Sequence, residues 1–155
     1  MSACIFCQIL SQQIPSVRVA ENDLAVAFLD IRPVNPGHVL VVPRRHVASF
    51  TGLTDLEGAQ VFDLVRRVGR ALKAALPGCE GVTLSAADGE AAHQEVPHAH
   101  FHVIPRSPED GFGWRRFGEL AGREALEETG ILISLAMALS QDAEVNPARS
   151  PGTNG

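Results

Sequence analysis

Three of the chain's six histidines stand at alternate positions of one apolar run, which reads His-Ala-His-Phe-His-Val-Ile-Pro-Arg over residues 98–106. Strict alternation is the period of a β-strand, in which successive side chains point to opposite faces. We therefore predict a strand over residues 96–104 on which His98, His100 and His102 share one face. The intervening apolar side chains face the core; these are Ala99, Phe101 and Val103.

Such a row of imidazoles could bind a metal or act in catalysis. On a straight strand the Cα atoms of His98 and His102 are about 13 Å apart, too far for both to ligate one tetrahedral ion together with His100. At most two of the three histidines can share a metal. The alternative is a strand face whose histidines are exposed, or bonded to backbone in the core, without further function.

A second candidate for chemistry is the C-x-x-C motif formed by Cys4 and Cys7. The spacing suits zinc, but two thiolates leave a tetrahedral site incomplete. The alternative is that both are small core residues. The odd total of three cysteines argues against a disulfide framework, and Cys79 is expected to be structural.

Composition narrows the class of protein. A chain of 155 residues with 45% hydrophobic and 20% charged residues fits one globular domain, and no apolar run is long enough to span a bilayer. The net charge of −5 and the lack of a basic stripe argue against nucleic acid as the main ligand, whereas small phosphorylated ligands remain compatible. No signal-peptide pattern is present, so we expect a cytoplasmic protein without membrane contact.

The elements that must position these residues follow from periodicity and turn signals. The predicted strands are 17–20, 24–30, 38–43, 81–85 and 96–104. A capping-box pattern and an apolar stripe predict a long helix over 54–76, and a second helix is expected within 119–139. The residues assigned to the stripe are Leu56, Val61, Leu64, Val65, Val68, Leu72 and Leu76. We predict an α+β fold, an antiparallel sheet with both helices on one face, in a single domain over 1–140 and a disordered tail over 141–155.

Three segments resemble the histidine triad (HIT) superfamily. The histidine strand with its flanks, residues 94–106, is similar to the signature of that family. Residues 27–33 and 36–46 are similar to its other hallmark segments, in the expected order. The resemblance covers residues 4–106 and implies a HIT-like fold whose sheets pair across a homodimer.

The resemblance implies a nucleotide-binding hydrolase or transferase that acts at the α-phosphate of a nucleoside phosphoramidate, ester or anhydride, with a purine nucleotide as substrate and no organic cofactor. His100 is the implied nucleophile, because a neutral imidazole can attack phosphorus and form a covalent intermediate that water discharges. His102 and His38 would support the phosphate, and His98 would serve the scaffold. Gln94 would orient the phosphate or the leaving group; the alternatives are a strand-start residue for His38 and a solvated loop residue for Gln94.

The family segment that walls the base and ribose corresponds to Phe28, Asp30 and Ile31. Core packing explains Phe28 and Ile31 almost as well as contact with a nucleotide does. Asp30 is different, because a carboxylate at the end of an apolar strand needs a partner. The sequence departs from the family in the loop before Gln94: Ala87 and His93 replace the usual asparagine and glycine, and Glu95 stands where relatives carry serine. The role of Glu95 near the nucleotide is left open.

Some bacterial relatives complete a structural zinc site with two histidines, which correspond here to His46 and His98. With Cys4 and Cys7 these would form a closed site that braces the N-terminus without doing chemistry.

We predict a nucleoside phosphoramidase. The alternatives are a dinucleoside polyphosphate hydrolase, a nucleotide-binding regulatory module with weak catalysis, and a zinc-dependent hydrolase, which the strand geometry disfavours.

Overall fold

The structure, a computed structural model, describes residues 4–113, 122–124, 127 and 130–134. The helices are α1 (Ile5–Leu10) and α2 (Asp55–Ala75), with short 3-10 turns at Phe50–Gly52 and Glu90–Ala92. The strands are β1 (Arg18–Glu21), β2 (Ala25–Leu29), β3 (Val39–Pro43), β4 (Gly81–Ser85) and β5 (Phe101–Arg106). They form an antiparallel sheet in the order β1-β2-β3-β5-β4, which confirms the α+β prediction.

Both faces of the sheet are covered. On one face, alternate residues of β2 and β3 such as Ala27 and Val41 pack with α2. On the other, Val26 and Leu40 pack with Phe6 of α1. Strand β3 is buried at all five positions, as its continuous apolar composition predicts.

The long helix begins as its sequence indicates. The Thr54 hydroxyl accepts from the Glu57 backbone, and the Glu57 carboxylate accepts from the Thr54 backbone, which completes the predicted capping box. The assignment of Leu56 to the buried stripe is wrong, since 63% of Leu56 is exposed. Five residues separate it from Val61, and at 100° per residue this turns Leu56 about 140° away from the core face.

The histidine segment is shorter as a strand than predicted. Regular pairing begins only at Phe101, while His98 ends a bend over residues 96–98, in which its N–H donates to the Val96 carbonyl, and His100 lies in the approach to β5. One backbone bond, from the Ala99 N–H to the Val47 carbonyl at 2.7 Å, holds that approach in place. The inward placement of alternate residues persists, because Ala99 and Val103 are buried and Phe101 packs against the α2-facing core.

Two further results concern the ends of the chain. Helix α1 is not among the predicted helices, and it packs on the face opposite α2. In the predicted C-terminal helix, the described residues 123, 124, 127 and 130–134 are helical. The rest of that helix and the tail over 141–155 lie outside the described residues. None of the described helices is long and apolar enough to cross a membrane.

Candidate active site

Strand register brings the predicted residues of three segments onto one face. Phe28 of β2 is the partner of Leu40 in β3, and Leu40 is the partner of His102 in β5. Phe28 and Leu40 belong to the core on the α1 side, so His102 emerges on the face that carries Phe6. His38 directly precedes β3 and therefore reaches the same place.

The backbone sets the tautomer of His100. Its Nδ1–H donates to the carbonyl of His98 at 2.7 Å, because a carbonyl can only accept. The lone pair of a neutral imidazole then lies on Nε2. His100 is 6% exposed, so this lone pair belongs to a nearly buried base.

His38 and His102 form a directional hydrogen-bonded pair. The Val34 backbone N–H donates to Nδ1 of His38 at 3.1 Å, which leaves the proton of a neutral His38 on Nε2. This Nε2 lies 3.0 Å from Nδ1 of His102, so His38 donates and His102 accepts. The remaining proton of His102 is therefore on its own Nε2, as a donor beside the ring of His100, whose centroid is 5.1 Å away.

Burial keeps this pair uncharged. Burial first, and then the neighbouring His100 and His38, lower the pKa of His102 to about 4 against a smaller opposing effect of Asp30. Burial also lowers the pKa of His38, against the opposing effect of Asp30. Both imidazoles are neutral at pH 7, as the tautomers above require.

Asp30 finds the partner that the sequence demands. One carboxylate oxygen accepts from the Arg32 backbone at 2.8 Å, and the other lies 3.7 Å from Nδ1 of His38. Donor atoms of Asp30, His38 and His102 lie within 4.8 Å of one another, close enough to suggest a metal. Both ring nitrogens of His38 already have hydrogen-bond partners, however, so the arrangement is a hydrogen-bonded pair of His38 and His102 with the Asp30 carboxylate beside it.

The apolar residues of the predicted base wall differ in accessibility. Phe28 is 2% exposed and packs against Phe6 with ring centroids 5.8 Å apart. Ile31 is 89% exposed, so core packing does not explain it. Phe6 is a site residue that sequence reasoning missed. Its position between Cys4 and Cys7, two candidate ligands, is the signal that could have found it.

Gln94 is engaged by the backbone. Its amide nitrogen donates to the carbonyls of Ala48 and Val96 at 2.7 and 2.9 Å, and its Oε1 accepts from the Gly89 N–H at 2.8 Å. These bonds tie the loop before the histidines to the segment after β3. A role for Gln94 on the phosphate stays a prediction.

Two of the three departures from the family pattern, His93 and Glu95, have distinct settings. His93 is exposed and adopts φ +63°, the left-handed conformation that glycine favours, at a cost of about 1–2 kcal/mol. Glu95 is exposed and lines a cavity of about 540 Å³ together with Cys4, Cys7 and His46. The structure thus places Glu95 beside the cysteine motif.

The predicted metal ligands converge. Nδ1 of His98 lies 3.4 Å from Sγ of Cys4 and 3.7 Å from Sγ of Cys7, and Nδ1 of His46 lies 3.3 Å from Sγ of Cys7. Bonds of about 2.3 Å to sulfur and 2.0–2.1 Å to nitrogen at a tetrahedral angle separate the donors by about 3.5 Å. The donor set therefore fits zinc without rearrangement.

The surroundings of these donors also suit a cation. His98 is fully buried, and its Nε2–H donates to the Pro43 carbonyl at 2.9 Å, which leaves Nδ1 free to ligate. Burial and the neighbouring Cys4 raise the pKa of Cys7, so metal binding must displace a thiol proton.

Comparison with known proteins agrees with this geometry. The family model described as HIT domain matches residues 11–109. An adenosine 5′-monophosphoramidase of Schizosaccharomyces pombe is 42% identical over 115 residues, which cover 72% of this chain and 83% of that protein.

Solved structures give the same result. A HIT family protein from Bacillus anthracis superposes with a TM-score of 0.81 at 35% identity, covering 87% of this chain and 97% of that one. A zinc-bound histidine triad family protein from Mycobacterium smegmatis superposes with a TM-score of 0.68 at 33% identity, covering 91% of this chain and 97% of that one.

Proposed function

The chain belongs to the HIT family, and we propose that it is a nucleotide-binding hydrolase that releases the nucleotidyl group of purine nucleoside phosphoramidates through a covalent nucleotidyl-histidine. The observation that carries the proposal is the complementary protonation of two adjacent imidazoles. His100 presents a lone pair on Nε2, while His102 presents an N–H on its Nε2. One group can attack phosphorus while the other donates to a phosphate oxygen.

The reaction proceeds in two displacements. Nε2 of His100 forms a bond to the α-phosphorus as the bond to the amine leaving group breaks, the amine departs with a proton taken from solvent, and the His102 N–H stabilises charge on a non-bridging oxygen. Water then attacks the same phosphorus and returns a proton to solvent, the phosphorus–nitrogen bond to His100 breaks, and neutral His100 is restored with release of the nucleoside monophosphate. Throughout, the Val34 N–H holds His38, and through it His102, in the donating tautomer.

Two of the remaining predicted residues bind the nucleoside. Exposed Ile31 provides apolar contact for the base, Phe28 is buried in the core on the α1 side of the sheet, and the carboxylate of Asp30 is available to the ribose hydroxyls. Glu95 lies beside the cysteine motif, and we assign it no role at the nucleotide. The three described cysteines are free thiols, in keeping with the cytoplasmic location that we propose.

The convergence of their donor atoms supports a zinc ion held by Cys4, Cys7, His46 and His98. Such an ion would link the N-terminus to the active segment and take no part in the reaction, because four protein ligands leave no open coordination position.

The test is turnover of adenosine 5′-phosphoramidate. Replacing His100 with alanine abolishes turnover and leaves AMP binding measurable by calorimetry. His93 is an exposed histidine of the adjacent loop, and the control variant His93→Ala retains turnover. Rapid quench of the wild type followed by mass spectrometry locates the nucleotidyl group on His100. Full activity in His100→Ala refutes the proposal.

The same assay separates the alternatives. Faster turnover of a diadenosine polyphosphate than of the phosphoramidate would select the dinucleoside polyphosphate hydrolase, and AMP binding without any turnover would select the regulatory module. Activity that survives complete chelation removes the zinc-dependent hydrolase.

We also propose that the chain forms a homodimer through β4, and the support is the difference between the two edges of the sheet. The β1 edge carries Arg18 and Glu21 and has a register irregularity, features that protect edges from pairing. The β4 edge has no charged residue and borders an apolar groove of about 410 Å³ lined by Phe50, Phe62 and Leu84.

Light scattering tests the dimer. Leu84→Lys should convert a dimeric mass at micromolar concentration into a monomeric one. Val17→Lys is the matched control, because Val17 is an exposed apolar residue beside the opposite edge. A monomeric wild type, or a dimer that persists in Leu84→Lys and dissociates in Val17→Lys, contradicts the proposal.

A further inference from the structure

Phe6 connects two sets of residues that the proposed function treats separately. It lies in α1 between Cys4, which caps that helix, and Cys7. While the cysteines face the metal donors, the Phe6 ring is 7% exposed and points to the sheet. Its edge-on contacts are to His98 at 5.8 Å and 81°, and to His100 at 5.2 Å and 68°.

The imidazole of His100 needs these contacts to be fixed. Its hydrogen bond to the His98 carbonyl anchors Nδ1 but permits the ring to tilt about that bond. The ring of His102 blocks the tilt on one side, at 5.1 Å and 71°. Phe6 is the second ring in edge contact with His100, and rings in this geometry attract as well as obstruct.

Helix α1 cannot hold Phe6 in place by its own stability. Six residues are far fewer than an isolated helix needs. Its C-terminal end is tied by Arg18, whose guanidinium donates to the carbonyls of Ile9 and Leu10 at 3.1 and 2.9 Å. At its N-terminal end, Phe6 packs against Phe28, and Cys4 and Cys7 contact His98 of the active segment. Cys7 also contacts His46, which follows β3.

We propose that Phe6 is a positioning residue for the nucleophile His100, and that a metal ion on the cysteine–histidine cluster holds Phe6 against it. The inference deepens the proposed function and rests on it for the role of His100. Loss of the metal frees the N-terminal end of α1, withdraws the Phe6 edge, and lets the His100 imidazole tilt away from the line of attack. Misplacement of an attacking atom by about 1 Å can cost roughly 100-fold in rate.

The experiment compares Phe6→Leu with Ile9→Ala in the full chain. Ile9 is the matched control, because it is the other buried residue of α1 and packs in the same core without a ring contact to a histidine. In Phe6→Leu, kcat should fall about ten-fold or more while KM and the dissociation constant of AMP change less than about two-fold. A role in binding the base alone would raise KM instead and would overturn the proposal, as would an equal loss of kcat in Ile9→Ala.

A readout that needs no turnover keeps the two proposals distinguishable. Overhauser contacts between the carbon-bound ring protons of His100 and His102 report the orientation of the His100 ring, and we expect them at equal strength in the wild type and in Ile9→Ala but weakened in Phe6→Leu. The same weakening should appear in the wild type on chelation and in Cys7→Ser, but not in Cys79→Ser, and chelation should add nothing in Phe6→Leu. Unchanged contacts in Phe6→Leu, or effects of chelation and Phe6→Leu that add, overturn the inference whether or not the protein hydrolyses phosphoramidates.

Discussion

Replacing Gly37 with alanine should disturb both stability and the proposed catalytic pair. Asn35, Pro36, Gly37 and His38 form a turn closed by a 3.0 Å bond from the His38 N–H to the Asn35 carbonyl. Proline at the second position and a positive φ at the third are typical of a type II turn. The φ of Gly37 is +94°, and a Cβ there would lie 2.5 Å from Cδ1 of Leu76.

Two costs combine in this variant. A side chain in the left-handed region costs about 1–2 kcal/mol. Displacement of the Leu76 methyl, with Pro105 only 3.4 Å from the same Cβ, adds about 1–3 kcal/mol for overpacking. We expect Gly37→Ala to lower the free energy of unfolding by about 2–5 kcal/mol, measured by urea denaturation.

Two glycines separate these costs. Gly78 has φ +75° with open space around it, so Gly78→Ala should lose only about 1–2 kcal/mol. Gly58 lies within α2 with nothing near its Cβ position, and Gly58→Ala should gain about 0.5–1 kcal/mol. Equal losses in Gly37→Ala and Gly78→Ala would refute the packing argument.

The activity of the folded variants gives a second readout. The turn carries His38 and follows Val34, so a shift of its backbone lengthens the bond that fixes the His38 tautomer. In Gly37→Ala, kcat should fall at a temperature where the protein is fully folded, while Gly78→Ala keeps the wild-type value. Unchanged kcat in Gly37→Ala would show that the turn does not control the imidazole pair.

Three further outcomes are expected. Since burial lowers the pKa of His102 in the folded protein to about 4, the unfolded chain binds more protons below pH 6.5, and the free energy of unfolding should fall as pH drops from about 6.5 to about 4. The fall should be less steep in His102→Asn, and equal pH dependences of the two unfolding free energies, measured by urea denaturation, would contradict this. Chelation should lower the thermal midpoint of the wild type and of Cys79→Ser but not that of Cys7→Ser, and a midpoint indifferent to chelation in all three would argue against a bound metal. Hydrogen bonds from Arg45 and Thr54 lower the pKa of Glu57 to about 2, so Glu57→Gln should be less stable than the wild type by about 1 kcal/mol at pH 7. The stabilities of the two proteins should converge as pH falls from about 4.5 to about 2, and a constant difference would refute the stabilising role of the Arg45–Glu57 ion pair.

Local pattern predicted much of the fold because side-chain direction is a local property. The alternation at residues 98–103 gives the inward and outward faces, although His98 and His100 precede regular pairing. The α2 helix follows from its stripe and capping box. Helix α1 was not predicted, because six residues are too few to show a helical period.

The site itself depends on contacts that spacing does not determine. His38 and His102 are 64 positions apart, and only the register of β3 against β5 brings them together. The resemblance to a family supplied that pairing. The Val34 N–H that fixes their tautomers is a backbone group, which no side-chain pattern identifies.

The order of the strands has a consequence for how the molecule is made. Strand β5, last of the described strands in the chain, lies between β3 and β4 and is hydrogen-bonded to both. During synthesis the earlier strands emerge with a gap in the sheet that only the histidine strand can fill. The sheet is completed and His102 comes within hydrogen-bond distance of His38 in the same folding event, so a partly synthesised chain has no assembled active site.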